Sequence, residues 1–234
     1  MNTVAFDHDL YPDVHPIFVA CYEGNLASVR QFLNEGIDVN IKDEFHPSLA
    51  STAISMGYPD VLGVLIERGL DVNAALGNFG QRPLHHIASR SNSVEMAHLL
   101  LAHGADPNIQ DKYGATPIQC AASSGNLEYL ELLLAAGADP AYVSPDGQDA
   151  FYAAVISSRF ECAERLLGLG GDVNAQDHRG KTALCRIAMG GRGVEMAKWL
   201  LAHGADKSIP DNSGDTPLDW ARENGRTAIV KLLE

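Results

Sequence analysis

From residue 16 onward, apolar and polar positions follow a pattern that restarts every 33 or 34 residues. The restarts are marked by Pro16, Leu49, Pro83, Pro117, Ala150, Ala183 and Pro217. The residue after each mark is apolar: Ile17, Ala50, Leu84, Ile118, Phe151, Leu184 and Leu218. Three places further on stand Ala20, Ala53, Ile87, Ala121, Ala154, Ile187 and Ala221. This i, i+3 spacing predicts the buried stripe of a short helix, and the small residues let neighbouring helices approach closely. A second helix is predicted to end in an apolar pair: Phe32-Leu33, Leu65-Ile66, Leu100-Leu101, Leu133-Leu134, Leu166-Leu167 and Leu200-Leu201. Glycines follow at Gly36, Gly69, Gly104, Gly137, Gly170 and Gly204, where a left-handed cap is expected. An aspartate stands two residues beyond each of them, from Asp38 to Asp206.

The first helix of each unit also carries a start signal. Ser48, Thr116, Asp149, Thr182 and Thr216 occupy its N-cap slot, and Pro117 and Pro217 suit its first turn. His15 and Arg82 fill the same slot as weaker caps. The strings Pro83-Leu84-His85 and Thr116-Pro117-Ile118, with units closing in Asp71-Val72-Asn73 and Gly104-Ala105-Asp106, resemble the ankyrin-repeat family. The resemblance implies an all-α solenoid of stacked helix pairs with β-turn fingers, in which each unit touches only its neighbours. On that reading the chain has a tail, 1–10, and an ankyrin-repeat domain, 11–234. Its seven repeats are 11–42, 43–76, 77–110, 111–143, 144–176, 177–210 and 211–234. The second unit departs from the pattern with His46 and Leu49 for the finger glycine and the proline. The third and sixth carry an extra residue near Ser91–Ser93 and Gly190–Gly193. The first and last units are expected to act as caps.

Composition narrows the function. The chain is 46% hydrophobic and 20% charged, which fits a folded protein with a core. Thirty acidic residues against seventeen basic ones give a net charge of −13, which repels nucleic acid and anionic lipid. No apolar run approaches the ~18 residues of a membrane span. Met1 to Leu10 lacks the basic and apolar stretches of a secretory leader. Cys21, Cys120, Cys162 and Cys185 lie far apart, so neither disulfides nor a zinc site is expected. The expected location is the cytoplasm, or the nucleus if the source is eukaryotic.

No set of residues has the pattern of catalytic chemistry, so the chain is read as a non-enzyme without cofactor or metal. Asp7-His8-Asp9 has too few ligands for a metal site, and Gly168-x-Gly170-Gly171 follows a helix where a nucleotide loop would follow a strand. The resemblance implies that His85 braces neighbouring turns, and that Asn40, Asn73, Asn108 and Asn174 brace the finger turns. His86 is expected to face the inner surface, and His103 and His203 to sit on helix C-termini.

In proteins of this type the inner surface, made of finger tips and first helices, binds partners. Its residues are not dictated by the fold. Four places before the mark, three consecutive units carry Phe45, Phe79 and Tyr113. Tyr22, Met56 and Arg90 stand nearby in the register, and Tyr11 extends the row. Such residues are enriched at interface cores. A separate basic group comprises His178, Arg179, Lys181 and Arg186, a candidate docking point for an acidic strip on a partner. The expected function is therefore binding of another protein, as inhibitor or adaptor, by a chain that is monomeric before it meets its partner. An inhibitor of a toxic enzyme is the sharper alternative.

Overall fold

The computed structural model describes residues 14–41, 48–77, 79–90, 93–190 and 193–234. The tail 1–10, Tyr11, Phe45, His46 and the extra residues near Ser91 and Gly191 lie outside the described residues. The chain divides into two compact units, Met1–Lys112 and Tyr113–Glu234.

The first unit contains α1 (Pro16–Glu23), α2 (Leu26–Asn34), α3 (Leu49–Met56), α4 (Pro59–Glu67), α5 (Pro83–His86) and α6 (Ser93–Ala102). Helix α1 packs on α3 and α3 on α5, while α2 packs on α4 and α4 on α6. First and second helices of each pair thus form separate layers. The second unit contains α7 (Pro117–Ser124), α8 (Leu127–Ala135), α9 (Ala150–Ile156), α10 (Phe160–Leu167), α11 (Ala183–Gly190), α12 (Val194–Ala202), α13 (Pro217–Glu223) and α14 (Thr227–Leu233). There α7, α9, α11 and α13 pack in succession, α8 packs on α10, and α12 on α14. Among the described residues β pairing is confined to two isolated bridges, Leu76 with Gln81 and Gln176 with Thr182, each closing the base of a finger.

The apolar register becomes the core. Ala20, Ala53, Ile87, Ala121, Ala154, Ile187 and Ala221 are all buried, as is at least one member of every apolar pair. Ser48, Asp149 and Thr216 cap as their chemistry predicts, whereas Thr116 makes no side-chain cap bond. The Ser48 hydroxyl accepts from Ser51 N–H at 3.2 Å and the Asp149 carboxylate from Tyr152 N–H at 2.7 Å. His15 also caps, its Nδ1 accepting from Ile17 N–H at 3.2 Å. Near the start of α5 the bond runs backwards: buried His85 accepts through Nδ1 from Arg82 N–H at 3.2 Å. Gln119 does the same for Thr116 N–H at 2.9 Å.

The repeated Asp-x-Asn element works differently from the expectation. Each aspartate folds its own turn: Asp71 accepts from Asn73 N–H, and Asp172 from Asn174 N–H, at 2.9 and 2.8 Å. The asparagines then reach the equivalent turn of the following helix pair, not a finger. Asn73 donates to Gly104 O at 3.0 Å and accepts from Asp106 N–H at 2.9 Å. Asn174 makes the same two bonds with Gly204 O and Asp206 N–H, at 3.3 and 2.8 Å. Asn40 does so with Gly69 O and Asp71 N–H. In the second unit Ala141 takes the asparagine slot, its N–H bound by Asp139, and its methyl cannot make the joint.

Candidate functional site

The fingers are short loops stacked edge to edge through their backbones. Lys112 N–H donates to Phe79 O at 3.2 Å, His178 N–H to Asp146 O at 3.1 Å, and Asn212 N–H to Arg179 O at 3.0 Å. Phe79 and Tyr113 are each 61% exposed, Phe79 in the first unit and Tyr113 in the second. Tyr113 lines a shallow groove of about 230 Å³ together with Cys120 and Ser123 of α7 and Ala153 and Ile156 of α9. Ile156 and Val143 add exposed apolar surface in that unit.

On the first unit, Met56 ends α3 and Tyr22 lies near the end of α1, both half-buried. Arg90 is also half-buried, and its Nε is enclosed without a hydrogen-bond partner. His86 of α5 lies 3.1 Å from the Ser55 hydroxyl. Burial, then the nearby Arg90 charge, lowers its pKa, so the ring is neutral at physiological pH. Phe45 lies outside the described residues.

The basic group near residue 180 is not a free cationic patch. Arg179 is exposed, but Lys181 turns inward and pairs with Asp211, the two side chains being 7% and 1% exposed. The Lys181 ammonium also lies 3.6 Å from the centroid of the Trp220 ring, whose Nε1–H donates to Asp211 at 2.9 Å. Arg186 is similarly engaged. Its guanidinium donates to Asp177 at 2.5 and 3.0 Å and to the Tyr152 hydroxyl at 3.2 Å. The two carboxylates are loop residues as well as counter-ions. Asp177 accepts from Arg179 and Lys181 N–H groups, and Asp211 from Ser213 and Asp215 N–H groups.

Electrostatics follow from this wiring. Burial alone would raise the Asp211 carboxyl, yet Lys181, the two backbone N–H groups and the indole N–H hold it down at about 2. Asp177 is held below the usual carboxylate range against the same burial, by N–H groups and Arg186. Burial raises the Tyr152 hydroxyl and pushes the Cys21 thiol up to about 12. Cys21, Cys162 and Cys185 are buried and Cys120 half-buried, the setting of unreactive thiols. His103 and His203 each donate from Nδ1 to a carbonyl near the helix end, Leu99 O and Trp199 O, at 2.8 Å.

The residues missed at the sequence level are Asp177, Asp211, Tyr152 and Trp220. Their signal was present: an aspartate six places before the mark opens the fingers at Asp111, Asp177 and Asp211. Among the described residues no group of three or more His, Cys, Asp or Glu could hold a metal ion. No helix there is long and apolar enough to cross a membrane.

Comparison with known proteins agrees with this architecture. A family model of ankyrin repeats, in three copies, matches residues 17–111, 86–177 and 151–234. The palmitoyltransferase AKR1 of Lachancea kluyveri is 28% identical over 223 residues, covering 92% of this chain and 25% of that protein. Human BCL-6 corepressor-like protein 1 is 36% identical over 86 residues, covering 37% of this chain and 5% of that protein. The chain therefore spans a quarter or less of these relatives. The human ASB11 ankyrin repeat domain superposes with a TM-score of 0.78 at 26% identity, covering 94% of this chain and 98% of that one. The ankyrin repeat domain of Bcl-3, described as a unique member of the IkappaB protein family, gives 0.71 at 27% identity over the same shares. Paired helices, stacked finger loops and a family match along nearly the whole described chain make this protein a member of the ankyrin-repeat family.

Proposed function

We propose that this chain is a non-catalytic module of seven tandem repeats that binds another protein on its finger and first-helix face, as inhibitor or adaptor. The observation that carries the reading is the exposure of Phe79 and Tyr113 at finger tips where the loop backbone makes no demand for a ring. Exposed aromatics are favourable surface for a partner to bury. Met56, Tyr22 and Arg90 are half-buried and flank the rings in the register. Arg179 supplies the exposed charge of the basic finger, while Lys181 and Arg186 are committed to internal carboxylates and serve the fold. The protein acts as a monomer in the cytoplasm before its partner binds.

The net charge of −13 favours one sharper form of this role, an inhibitor that covers the basic site of a toxic enzyme. Affinity purification from the native source with mass spectrometry identifies the partner. Binding and melting of Phe79→Ala and Tyr113→Ala are then measured on the purified pair. An unchanged melting temperature with affinity weakened about thirtyfold at one ring or both is expected. Native affinity in both folded variants would rule out the finger face.

A further inference from the structure

The layer of second helices in the first unit carries a separate feature. A groove of about 1040 Å³ crosses α2, α4 and α6. Its apolar lining is Leu26 of α2, Pro59 and the buried Val64 of α4, and Val94, Leu99 and Ala102 of α6. Gly63, inside α4, is one of its lining residues.

Gly63 is unusual in two ways. The equivalent slot of the other second helices holds Arg30, His98, Glu131, Glu164, Lys198 and Lys231, all long or polar side chains. A glycine there forgoes the helix-forming preference of such residues. It is also not imposed by crowding, because a Cβ built on Gly63 would meet nothing within 4 Å, and its backbone is not left-handed. The missing side chain therefore leaves room that the fold itself does not use. The neighbouring Arg30 and His98 border the gap rather than fill it.

Charge indicates what would enter. The groove is bordered by Asp60, Glu67 and Glu95, all exposed. Arg30 answers Glu67 at 3.5 Å, while among the described residues no ion pair involves Asp60 or Glu95. An apolar floor edged by exposed carboxylates that belong to no ion pair complements the apolar and cationic faces of an amphipathic helix. Three adjacent helices span roughly 20 Å between outer axes, the length of about fourteen helical residues.

We propose that this groove docks an amphipathic helical segment of a partner protein. The segment sets a bulky aliphatic side chain over Gly63 and lysines or arginines against Asp60 and Glu95. This surface belongs to the second-helix layer and is independent of the finger-face reading.

The test uses the full chain and three labelled designed peptides of about fourteen residues. One is a leucine–lysine amphipathic helix, one has the same composition scrambled to remove the apolar face, and one replaces lysine by glutamate. At physiological salt the first should bind at least about tenfold tighter than either control. Gly63→Gln fills the gap without changing net charge, so it should weaken that peptide about tenfold or more while the melting temperature holds or rises. Asp60→Asn/Glu95→Gln should weaken it about fivefold as a second, independent variant. Phe79→Ala should leave its affinity unchanged, which separates this surface from the fingers. No binding, equal binding of the scrambled peptide, or native affinity in Gly63→Gln and Asp60→Asn/Glu95→Gln would overturn the proposal.

Discussion

The fingers around Phe79 and Arg179 share a backbone plan and differ in what holds their side chains. Each closes with an isolated bridge, and each hands one carbonyl to an N–H of the finger that follows. In the second, Asp177 folds the loop, anchors Arg186 and receives the N–H of Lys181, whose ammonium is buried against Asp211 and Trp220. In the first, Gly77 occupies the aspartate slot with φ of +71°, and the tip ring is 61% exposed. The tip residues Phe79 and Arg179 are exposed in both fingers; the fingers differ two places later, at the base, where Lys181 is buried. Lys181 goes inward because the following finger holds the Asp211 carboxylate for it, whereas the equivalent slot of the other finger carries the neutral Gln81.

The largest effect should come from unwiring the second finger. Lys181→Met leaves the Asp211 carboxylate buried without its cation and should cost about 3 kcal/mol in urea titrations. The double variant Lys181→Met/Asp211→Asn should recover part of that loss. If the single variant proves neutral, the pair is not what distinguishes this finger.

Acid probes the same wiring without substitution. Asp211 is held at about 2, below the ~3.9 of an aspartate in an unfolded chain. A carboxyl lowered in the folded state stabilises fully above its unfolded pKa and loses that contribution as pH falls through its folded one. Stability should therefore drop between about pH 4 and pH 2, with Asp177 acting in the same direction. Asp211→Asn should flatten this part of the pH–stability curve.

Glycine substitution sharpens the comparison further. Gly80 and Gly180 occupy equivalent left-handed positions, with φ of +66° and +74°. A Cβ on Gly180 would lie 2.7 Å from Asn212 N, whereas on Gly80 its nearest neighbour would be Lys112 N at 3.2 Å. Gly180→Ala should cost about 2–3 kcal/mol and Gly80→Ala about 1 kcal/mol, read from thermal melts. The smallest effects belong to the tips. Phe79→Ala and Arg179→Ala should each stay within about 0.5 kcal/mol of the parent chain.

The helix register was legible because it is local: an i, i+3 stripe, a cap and a closing glycine each act within a few residues. Ser158 shows where such a rule ends. It takes the left-handed position, φ 56°, that Gly24, Gly57 and Gly125 fill in other pairs, so the turn is imposed by its surroundings. The inward course of Lys181 was not legible from its own finger, because its partner is thirty residues away. The asparagine joint was misread for a similar reason, since its acceptor lies in the next helix pair. The Gly63 gap was visible in the aligned register, but its meaning needed the groove around it. Exposure of the finger rings follows from their slot, whereas contact with a partner is a property of two surfaces.

The asparagine joint has an evolutionary consequence. Asn73 and Asn174 bind the same pair of groups, a glycine carbonyl and an aspartate N–H, although they serve different units. A connector that recognises backbone in a fixed turn is indifferent to the rest of the repeat it grips. Duplication or loss of a whole repeat can therefore leave a working seam, and lengthening such a protein requires no new fastening. Ala141 breaks that interchangeability, because a copy made from its repeat would carry a seam without this clasp.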